Sequence, residues 1–342
     1  MNAERSGVLA AGNFIVDRVV LIDRYPPENT LASIEGEAVS SGGCPFTVLK
    51  DLAIFGARFP LAAIGTLGAD DNGHWIRAEC EAYRIDTCGL VQIDGATTSY
   101  TYAMTVRTTG RRTFFHQRGA NDLLAPAHFD FRATGARIFV LGYLTLLEAL
   151  DVRIAPGVTA AAQVLAAARA AGLTTVVDLV SAPNPAYREI VWSALPHIDH
   201  LLLNEWEAAL LLGRSVDASA PDLLRAAREI AAGGVNDTVA IHCEDGIVAL
   251  DCRTREHAVQ GAVALPHDFI AGATGAGDAL TAGYLWALHG GESIAEGLKT
   301  GVCAAAACLG DASASGGIRV LAECLELGRR FGFRSFDFGQ TH

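Results

Sequence analysis

The chain has 342 residues, of which 51% are hydrophobic and 19% charged, so it can bury a large core and is too apolar to be disordered. Its formal net charge of −12 argues against a nucleic-acid or membrane-surface partner. The eight cysteines form no Cys-x-x-Cys pair, no apolar run reaches the ~18 residues of a membrane span, and the first residues lack the apolar stretch of a signal peptide. We therefore expect a cytoplasmic protein with reduced thiols.

Short apolar, β-rich runs alternate with Ala- and Leu-rich segments of helical period along most of the chain. In chain order, the alternation predicts strands Val8–Ala11 and Phe14–Val20, helix Pro45–Phe55, strand Leu61–Ile64, helix Gly73–Tyr83, strand Arg137–Leu141, helix Pro156–Ala171, strand Thr174–Asp178, strand Leu201–Leu203 leading into a helix at Asn204, helix Pro221–Ala232, and paired strands Val239–His242 and Ile247–Leu250. This order is typical of an α/β fold with a doubly wound, mostly parallel sheet. Ligands of such sheets bind at the carboxyl ends of the strands.

Two segments interrupt this alternation. Residues 18–41 and 96–118 carry Thr, Tyr, Ser and charged residues with a period of two, as in the run from Tyr100 to Val106. That period indicates antiparallel strands with one wet face. We expect them to form a small antiparallel β lid inserted into a single α/β domain that spans residues 1–342.

The most informative local pattern is the glycine-rich run Ile270–Leu285. Gly272, Gly275 and Gly277 precede a helical pattern, which leaves backbone N–H groups free to bind an anion at a helix N-terminus. Asp278 falls in the first helical turn. An acid at that position stabilises the helix dipole in many proteins, and it could equally do proton chemistry beside a bound anion.

The run resembles the second signature of the ribokinase-like, PfkB-type carbohydrate kinases, whose core Thr-Gly-Ala-Gly-Asp is present unchanged as Thr274–Asp278. The Gly42–Gly43 pair at a helix entry resembles the first signature of that family. The opening strand Gly12–Asp17 and the Asn-x-x-Glu run Asn204–Glu207 are similar to further family motifs. These matches follow the family order and span residues 8 to about 318.

The resemblance implies a ribokinase-like fold and ATP-dependent phosphoryl transfer to a hydroxyl of a small sugar or sugar-like alcohol. It assigns the catalytic base to Asp278 and a backbone anion hole to Gly275, Ala276 and Gly277. Positioning, a base and dipoles that face the developing charge are what phosphoryl transfer needs.

The resemblance also implies residues for the acceptor, the nucleotide and Mg²⁺. The expected acceptor residues are Asn13, Asp17, Gly42, Gly43, Thr47 and Asp178. The expected nucleotide residues are Thr274, Asn204, Glu207, Gly246 and Ala304. Glu207 is expected to hold Mg²⁺ through water, although the Asn204–Glu207 spacing is also that of a helix capping box.

The sequence departs from the family pattern at three places. The stretch Ile241–Gly246 lacks the pattern that is frequent near the nucleotide in the family. Thr47 stands where the family usually has Asn, which alters one acceptor contact. Gly272–Ala273 replace the Asp-Thr of members that a monovalent cation activates, which argues against such activation. Lid strands in family members often pair into dimers, so a homodimer through the lid is a further expectation.

Missing motifs argue against three other kinds of protein: a P-loop kinase, a Rossmann dehydrogenase and a zinc enzyme. The sequence has no Gly-Lys pair for a P-loop, no Gly-x-Gly-x-x-Gly after the first strand and no zinc-ligand spacing. Two other functions stay open on the same fold. A nucleoside kinase of the adenosine-kinase type is the nearer one, and a non-catalytic ligand sensor is the other.

Overall fold

A large sheet with helices on both faces forms the centre of the computed structural model, which describes residues 5–338. The strands are β1 (Val8–Gly12), β2 (Ile15–Ile22), β3 (Ile34–Gly42), β4 (Leu61–Gly68), β5 (Asp86–Ile93), β6 (Tyr100–Val106), β7 (Arg112–Gln117), β8 (Ile138–Gly142), β9 (Arg153–Ala155), β10 (Val158–Thr159), β11 (Thr174–Asp178), β12 (His200–Asn204), β13 (Thr238–His242), β14 (Gly246–Asp251) and β15 (His257–Gly261). The helices are α1 (Cys44–Phe55), α2 (Asp71–Ala82), α3 (Glu148–Asp151), α4 (Ala160–Ala170), α5 (Tyr187–Ala194), α6 (Glu205–Leu212), α7 (Ala220–Ala231), α8 (Ala276–Gly290), α9 (Ile294–Cys308) and α10 (Leu321–Phe331).

The large sheet has the strand order β15-β14-β13-β12-β11-β8-β1-β4-β5. In this spatial order, neighbouring strands from β13 across to β5 all pair in parallel. The two pairings that add β14 and β15 at the other edge are antiparallel. The predicted doubly wound, mostly parallel sheet is therefore confirmed. The predicted pair at Val239–His242 and Ile247–Leu250 is the antiparallel pair β13–β14.

Two apolar cores lie on opposite faces of this sheet. Alternate residues of each central strand point to opposite sides, so Leu9 and Phe139 belong to one core while Ala10 and Val140 belong to the other. Helices α4 to α7 cover the first face, and α1, α2, α8, α9 and α10 cover the second. Each fully buried Leu, Val, Ile or Phe contributes about 1.5–3 kcal/mol. In such a sheet a ligand site is expected at the carboxyl ends of the strands.

The lid is a four-stranded sheet of order β3-β2-β6-β7. Pairs β2–β3 and β6–β7 are antiparallel, as predicted, whereas the central pair β2–β6 is parallel. The segments that hold β2 and β6 are separated by α1, β4, α2 and β5, so no hairpin turn imposes an antiparallel direction on them. The lid stands at the carboxyl end of β1, because β2 follows β1 after two residues and β3 leads into α1.

The start of one predicted helix was wrong. Helix α4 begins at Ala160 rather than at Pro156, because Arg153–Ala155 and Val158–Thr159 pair around a turn and the Thr159 hydroxyl caps the helix by accepting the N–H of Ala162 at 3.2 Å. A Pro-Gly dipeptide favours such a turn over a helix start.

The termini of the predicted 1–342 domain, residues 1–4 and 339–342, lie outside the described residues. Over 5–338, no helix has both the length and the apolar character that crossing a bilayer requires.

Candidate active site

The glycine turn before α8 is shaped by its contact with the loop that follows α9. Gly275 has φ +79°, and a Cβ atom there would lie 2.6 Å from the carbonyl oxygen of Ala314, so only glycine fits. The N–H of Ala276 makes one long contact, 3.4 Å to the oxygen of Ala273. As the first amides of a helix, those of Ala276 and Gly277 have no partner within the helix itself. The turn therefore presents backbone donors at the N-terminus of α8.

Asp278 is the central carboxylate of the site. Its side chain is buried, and its Oδ1 accepts a 2.7 Å hydrogen bond from the Tyr143 hydroxyl. Burial raises the pKa of Asp278 to about 7, and the Tyr143 hydrogen bond acts in the opposite direction. A carboxyl group with a pKa near 7 suits a general base at neutral pH.

Asp178 and Cys44 lie against Asp278. A ligand atom from each of these three buried residues lies within 4.8 Å of the other two. Asp178 ends β11, and its Oδ2 accepts a 2.9 Å hydrogen bond from the Thr281 hydroxyl. Burial, with the charge of Asp278 as a second cause, holds the pKa of Asp178 well above its usual range. Two carboxyl groups of raised pKa therefore meet at the carboxyl end of the sheet.

The expected acceptor residue Asp17 faces this cluster from the lid. A Cβ atom on Gly42 would lie 2.4 Å from Oδ1 of Asp17, so glycine at position 42 makes room for the carboxylate. Burial raises the pKa of Asp17 to about 7, the Thr101 hydroxyl opposes this shift, and the charge of Asp278 adds to it. Thr101 in turn lies 3.0 Å from Nδ1 of His116 on β7.

Asn13 and Thr47 are both fully buried. Asn13 accepts the backbone N–H of Tyr143 at 2.7 Å and donates to the oxygen of Leu146 at 3.1 Å, so its side chain positions the loop that carries Tyr143. The hydroxyl of Thr47 has no partner among residues 5–338. Gly43, the N-cap of α1, lies next to Asn13, since a Cβ atom there would meet the oxygen of Asn13 at 1.9 Å.

Asn204 and Glu207 form the capping box that their spacing predicts. Asn204 Oδ1 accepts the Glu207 N–H at 2.8 Å, and Glu207 Oε2 accepts the Asn204 N–H at 2.9 Å. Glu207 Oε1 also accepts the Ser181 hydroxyl at 2.8 Å. Burial raises the pKa of Glu207 to about 7, and the charge of Asp278 contributes to that shift. The two acids are therefore close enough to influence each other.

A cleft of about 640 Å³ opens beside the glycine turn. Its walls include the expected residues Ala276, Gly277, Asn204 and Gly246, together with apolar side chains such as Val302 and Leu309. A mixture of apolar walls and a few convergent polar groups is typical of a small-molecule site.

Three of the expected nucleotide residues, Thr274, Glu207 and Ala304, are not among the walls of this cleft. Ala304 is fully buried in the core and does not line the cleft, whereas Ala305 and Ala306 do. Because an α-helix has 3.6 residues per turn, Ala304 points to a different side of α9 from Ala305 and Ala306. An Ala-rich sequence does not reveal which of its alanines faces the cleft.

Arg112 is a site residue that the motifs do not reveal. It stands at the start of lid strand β7, lines the cleft, and donates a hydrogen bond from Nη1 to the Thr274 hydroxyl of the glycine turn. Burial lowers the pKa of Arg112, and in the described part of the chain no acid offsets that desolvation by pairing with it. The alternating pattern of β7 could have suggested Arg112 as a candidate. Placing Arg112 over the cleft required the register of β7 in the lid, which the sequence does not give.

The residues present fit ATP and Mg²⁺. Asp278, Asp178 and Glu207 supply hard oxygen donors of the kind that Mg²⁺ prefers, and burial raises the pKa of all three. Because Glu207 already accepts several hydrogen bonds from the protein, it suits contact with Mg²⁺ through water. The cleft, the glycine turn and Arg112 offer apolar walls, backbone donors and a cation to a nucleoside triphosphate.

The fold is ribokinase-like. The ribokinase of Arabidopsis thaliana, solved with ribose and ATP, superimposes with a TM-score of 0.75 and 21% identity over 94% of this chain and 98% of its own. A Methanocaldococcus jannaschii nucleoside kinase, described as an archaeal member of the ribokinase family, gives a TM-score of 0.70 with 15% identity over 95% of this chain and 98% of its own.

The chain belongs to the pfkB family carbohydrate kinases, whose pattern it matches over residues 9–319. It is 30% identical over 125 residues, 36% of this chain, to an ATP-dependent ribose-1-phosphate kinase of Halopiger xanaduensis, and 24% identical over 209 residues, 60% of this chain, to the Arabidopsis thaliana protein described as Probable fructokinase-3. These matches span 41% and 55% of the two relatives, about half of their length.

Proposed function

We propose that this protein transfers the terminal phosphoryl group of ATP to a hydroxyl of a small sugar or sugar-like alcohol. The observation that carries the proposal is the position of Asp278. Its buried carboxylate, with a pKa near 7, lies in the first turn of α8 beside backbone donors that line the cleft. A base and an anion hole in one helical turn are what this transfer requires.

In this mechanism, Asp278 accepts the proton of the acceptor hydroxyl while the hydroxyl oxygen bonds to the terminal phosphorus of ATP. The bond from that phosphorus to its bridging oxygen breaks, and ADP leaves with the electron pair. The amides of Gly275, Ala276 and Gly277 face the charge that develops on the phosphoryl oxygens. Glu207 would hold Mg²⁺ through water, and the bound ion would neutralise phosphate charge.

Arg112 supplies a positive charge on the lid side of the same cleft. Its contact with Thr274 fixes the guanidinium over the glycine turn. The two lysines of the chain are paired with Glu79 and Glu296, away from this turn. We therefore include Arg112 among the groups that stabilise the transferred phosphoryl group, and the Thr274 contact gives way to phosphate oxygens when ATP binds.

The charges around the acceptor position favour an uncharged acceptor. Asp17, Asp178 and Asp278 converge there, and the charge of Asp278 raises the pKa of both other groups. A carboxylate or phosphate on the acceptor would meet like charges. We expect neutral sugars to be better acceptors than sugar acids or ribose 1-phosphate.

A coupled ADP-release assay with pentoses, hexoses, keto-sugar acids, ribose 1-phosphate and nucleosides tests the proposed activity. The expected result is ADP release that depends on one acceptor class, with a product that is heavier by one phosphoryl group. ATP binding without acceptor-dependent ADP release across the panel would contradict the kinase proposal and support a ligand sensor.

A nucleoside acceptor is the second candidate, favoured by Phe114. The lid register pairs Thr101 with His116, Ala103 with Phe114 and Thr105 with Arg112, so the three β7 residues share the face that turns toward the site. Phe114 is 55% exposed there and offers its ring to a planar base. A higher kcat/KM for a nucleoside than for its free pentose would decide for this candidate.

A lid-mediated homodimer and a cytoplasmic location belong to the same proposal. Ile34 on edge strand β3 and Phe115 on edge strand β7 are at least half exposed. Apolar residues on exposed sheet edges favour pairing with a second chain. Sedimentation of Phe115→Lys beside the wild-type protein tests the dimer, with a smaller species expected for the variant.

A further inference from the structure

A thiol lies among the carboxyl groups of the candidate active site, and the proposed phosphoryl transfer does not use it. Cys44 is the first residue of α1, and its side chain is fully buried. A Cβ atom on Gly142 would lie 2.5 Å from Sγ of Cys44, so glycine at the end of β8 makes room for the sulfur. Ligand atoms of Cys44, Asp178 and Asp278 lie within 4.8 Å of one another, which places the thiol against both acids.

Hydrogen bonds from surrounding side chains orient the two carboxyl groups of this set. Tyr143 donates to Oδ1 of Asp278 at 2.7 Å, and Thr281 donates to Oδ2 of Asp178 at 2.9 Å. Each bond engages one oxygen of its carboxyl group and fixes the direction of the other. The ligands of protein metal sites are commonly held by such outer hydrogen bonds.

The surroundings of the three groups favour a bound cation. Among residues 5–338, no arginine or lysine forms an ion pair with Asp178 or Asp278. Burial, reinforced by the charges of these two acids, holds the pKa of the Cys44 thiol well above its usual range. Buried charged groups in proteins are paired or coordinate metals, and a bound metal ion reverses the effect of the acids on the thiol.

We propose that Cys44, Asp178 and Asp278 bind a zinc ion, with water as a fourth ligand. A sulfur ligand suits Zn²⁺, whereas Mg²⁺ takes oxygen ligands. Zinc bonds to sulfur at about 2.3 Å and to oxygen at about 2.0–2.2 Å, so small rotations of the three side chains bring them around one ion. The thiol releases its proton to solvent when the Zn–S bond forms. No local spacing reveals this set, because its members come from α1, β11 and α8.

Zinc at this position would inhibit the enzyme. The side chains of Asp178 and Asp278 belong to residues that are 5% and 6% exposed, so an ion from solvent meets the carboxyl groups before it meets the sulfur. A zinc ion bonded to Asp278 removes the base and occupies the place of the acceptor hydroxyl. This inhibition rests on the proposed function, but the binding of zinc does not.

Titration with Co²⁺ in excess Mg²⁺ tests the site without an activity assay. Co²⁺ accepts the same ligands as Zn²⁺, and its bond to a thiolate gives a sulfur-to-metal charge-transfer band in the near ultraviolet. We expect the band to saturate at one equivalent of Co²⁺ and to be lost when Zn²⁺ is added, since zinc binds such sites more tightly. A wild-type protein that shows no such band would overturn the proposal.

Two cysteine variants locate the metal. Cys44→Ser removes the sulfur at nearly constant volume and is expected to abolish the band. Cys88→Ser, at an exposed cysteine, is the matched control and is expected to keep it. A band that survives in Cys44→Ser, or one that is lost in Cys88→Ser, would contradict the assignment.

Thr281→Val tests the carboxyl side of the site with all three ligands in place. The variant loses the hydrogen bond that orients Asp178, so we expect its affinity for Co²⁺ to fall by about 10–100-fold. Wild-type affinity in Thr281→Val would contradict the assignment of Asp178 as a ligand.

Anomalous diffraction at the zinc edge from wild-type crystals soaked in ZnCl₂ needs no variant. We expect a peak bonded to Sγ of Cys44 and to both carboxyl groups, and a map with no peak there would count against the site.

An activity assay then separates the zinc site from the proposed function. We expect Zn²⁺ to inhibit acceptor-dependent ADP release competitively with the acceptor, and a chelator to restore it. An active protein without the cobalt band would overturn the zinc site alone. A protein that shows the band but transfers no phosphoryl group would support the zinc site and contradict the proposed function.

Discussion

Two properties of Asp278 suit it to act as the catalytic base: its fixed position and its raised pKa. Its carboxylate is held by the Tyr143 hydroxyl at 2.7 Å, and its pKa is raised to about 7 by burial. We predict that Asp278→Asn lowers kcat by about 10²–10⁴, because the amide has nearly the same shape but cannot accept the proton of the acceptor hydroxyl.

The measurement for Asp278→Asn is coupled ADP release, with ATP affinity from calorimetry as the companion value. ATP affinity is expected to persist, since the variant leaves the glycine turn in place. Asp268→Asn, an exposed substitution outside the base position, is the matched control. Wild-type turnover in purified Asp278→Asn would remove this residue from the mechanism.

Arg112 has a neighbour that makes a natural control. Arg112 lines the cleft, whereas the adjacent Arg111 is exposed. We predict that Arg112→Gln lowers kcat by about 10²–10³, the loss typical of removing one donor that faces transition-state charge, while KM for the acceptor changes little. Steady-state kinetics of Arg112→Gln and Arg111→Gln check this, and equal effects of the two substitutions would show that Arg112 has no special role.

At the scale of elements, the start of α6 separates a structural role from a Mg²⁺ role. Asn204 and Glu207 bond reciprocally across the first turn. We predict that Asn204→Ala lowers the free energy of unfolding by about 0.5–2 kcal/mol, with or without Mg²⁺, because the helix loses its cap. Denaturant titration measures this effect.

Glu207→Gln addresses the Mg²⁺ role directly. It is expected to raise the Mg²⁺ concentration that gives half-maximal activity, because the neutral amide attracts the hydrated ion less strongly than a carboxylate does. An unchanged Mg²⁺ requirement would mean that Glu207 only caps the helix.

Elements were easier to predict from the sequence than the orientation of single side chains. The Gly-rich run located the start of α8, and the Asn-x-x-Glu spacing predicted the capping box, because both depend on neighbouring residues alone. Helix α9 was expected to line the cleft, but the face that it presents depends on packing against α8, so the sequence could not show that Ala305 rather than Ala304 faces the cleft. Arg112 reaches the glycine turn and Tyr143 reaches Asp278, both from segments that are distant in the sequence. No local sequence pattern encodes such contacts.

At the scale of the whole molecule, buried acids make the pH dependence predictable. Asp278 has a pKa near 7 and must be deprotonated to act as the base. We predict that kcat/KM for the acceptor rises as pH increases toward 7 and levels off above it. Because Asp178 interacts with Asp278, the midpoint belongs to the pair. A profile that is flat from acidic to neutral pH would contradict this.

The same acids affect stability with a definite sign. Glu207 has a pKa of about 7 against an ordinary value of 4.5, so between these values the folded protein holds a proton that the unfolded chain has released. The free energy of unfolding therefore falls as pH rises through this window, by about 1.4 kcal/mol per pH unit for one group. Glu207→Gln is expected to show a shallower fall in urea titrations, and an unchanged slope would contradict the raised pKa.

The overall architecture followed from the alternation of strands and helices, since each strand is a short apolar run between helical segments. The lid segments were predicted from their period of two, but the parallel β2–β6 pairing was not, because it joins segments that lie on either side of α1, β4, α2 and β5. Pairing between distant strands depends on how the core brings their ends together.

That parallel pairing has a consequence for how the lid is attached. Strands β2 and β3 extend from β1 and into α1, whereas β6 and β7 come from the chain after β5, so two separate stretches of the polypeptide anchor one sheet. A protease that cuts the exposed connection between β2 and β3 would leave each of these two strands tethered at one end, and β6 and β7 would keep both of their connections. The nicked lid should then stay assembled, because β2 still pairs with both β3 and β6.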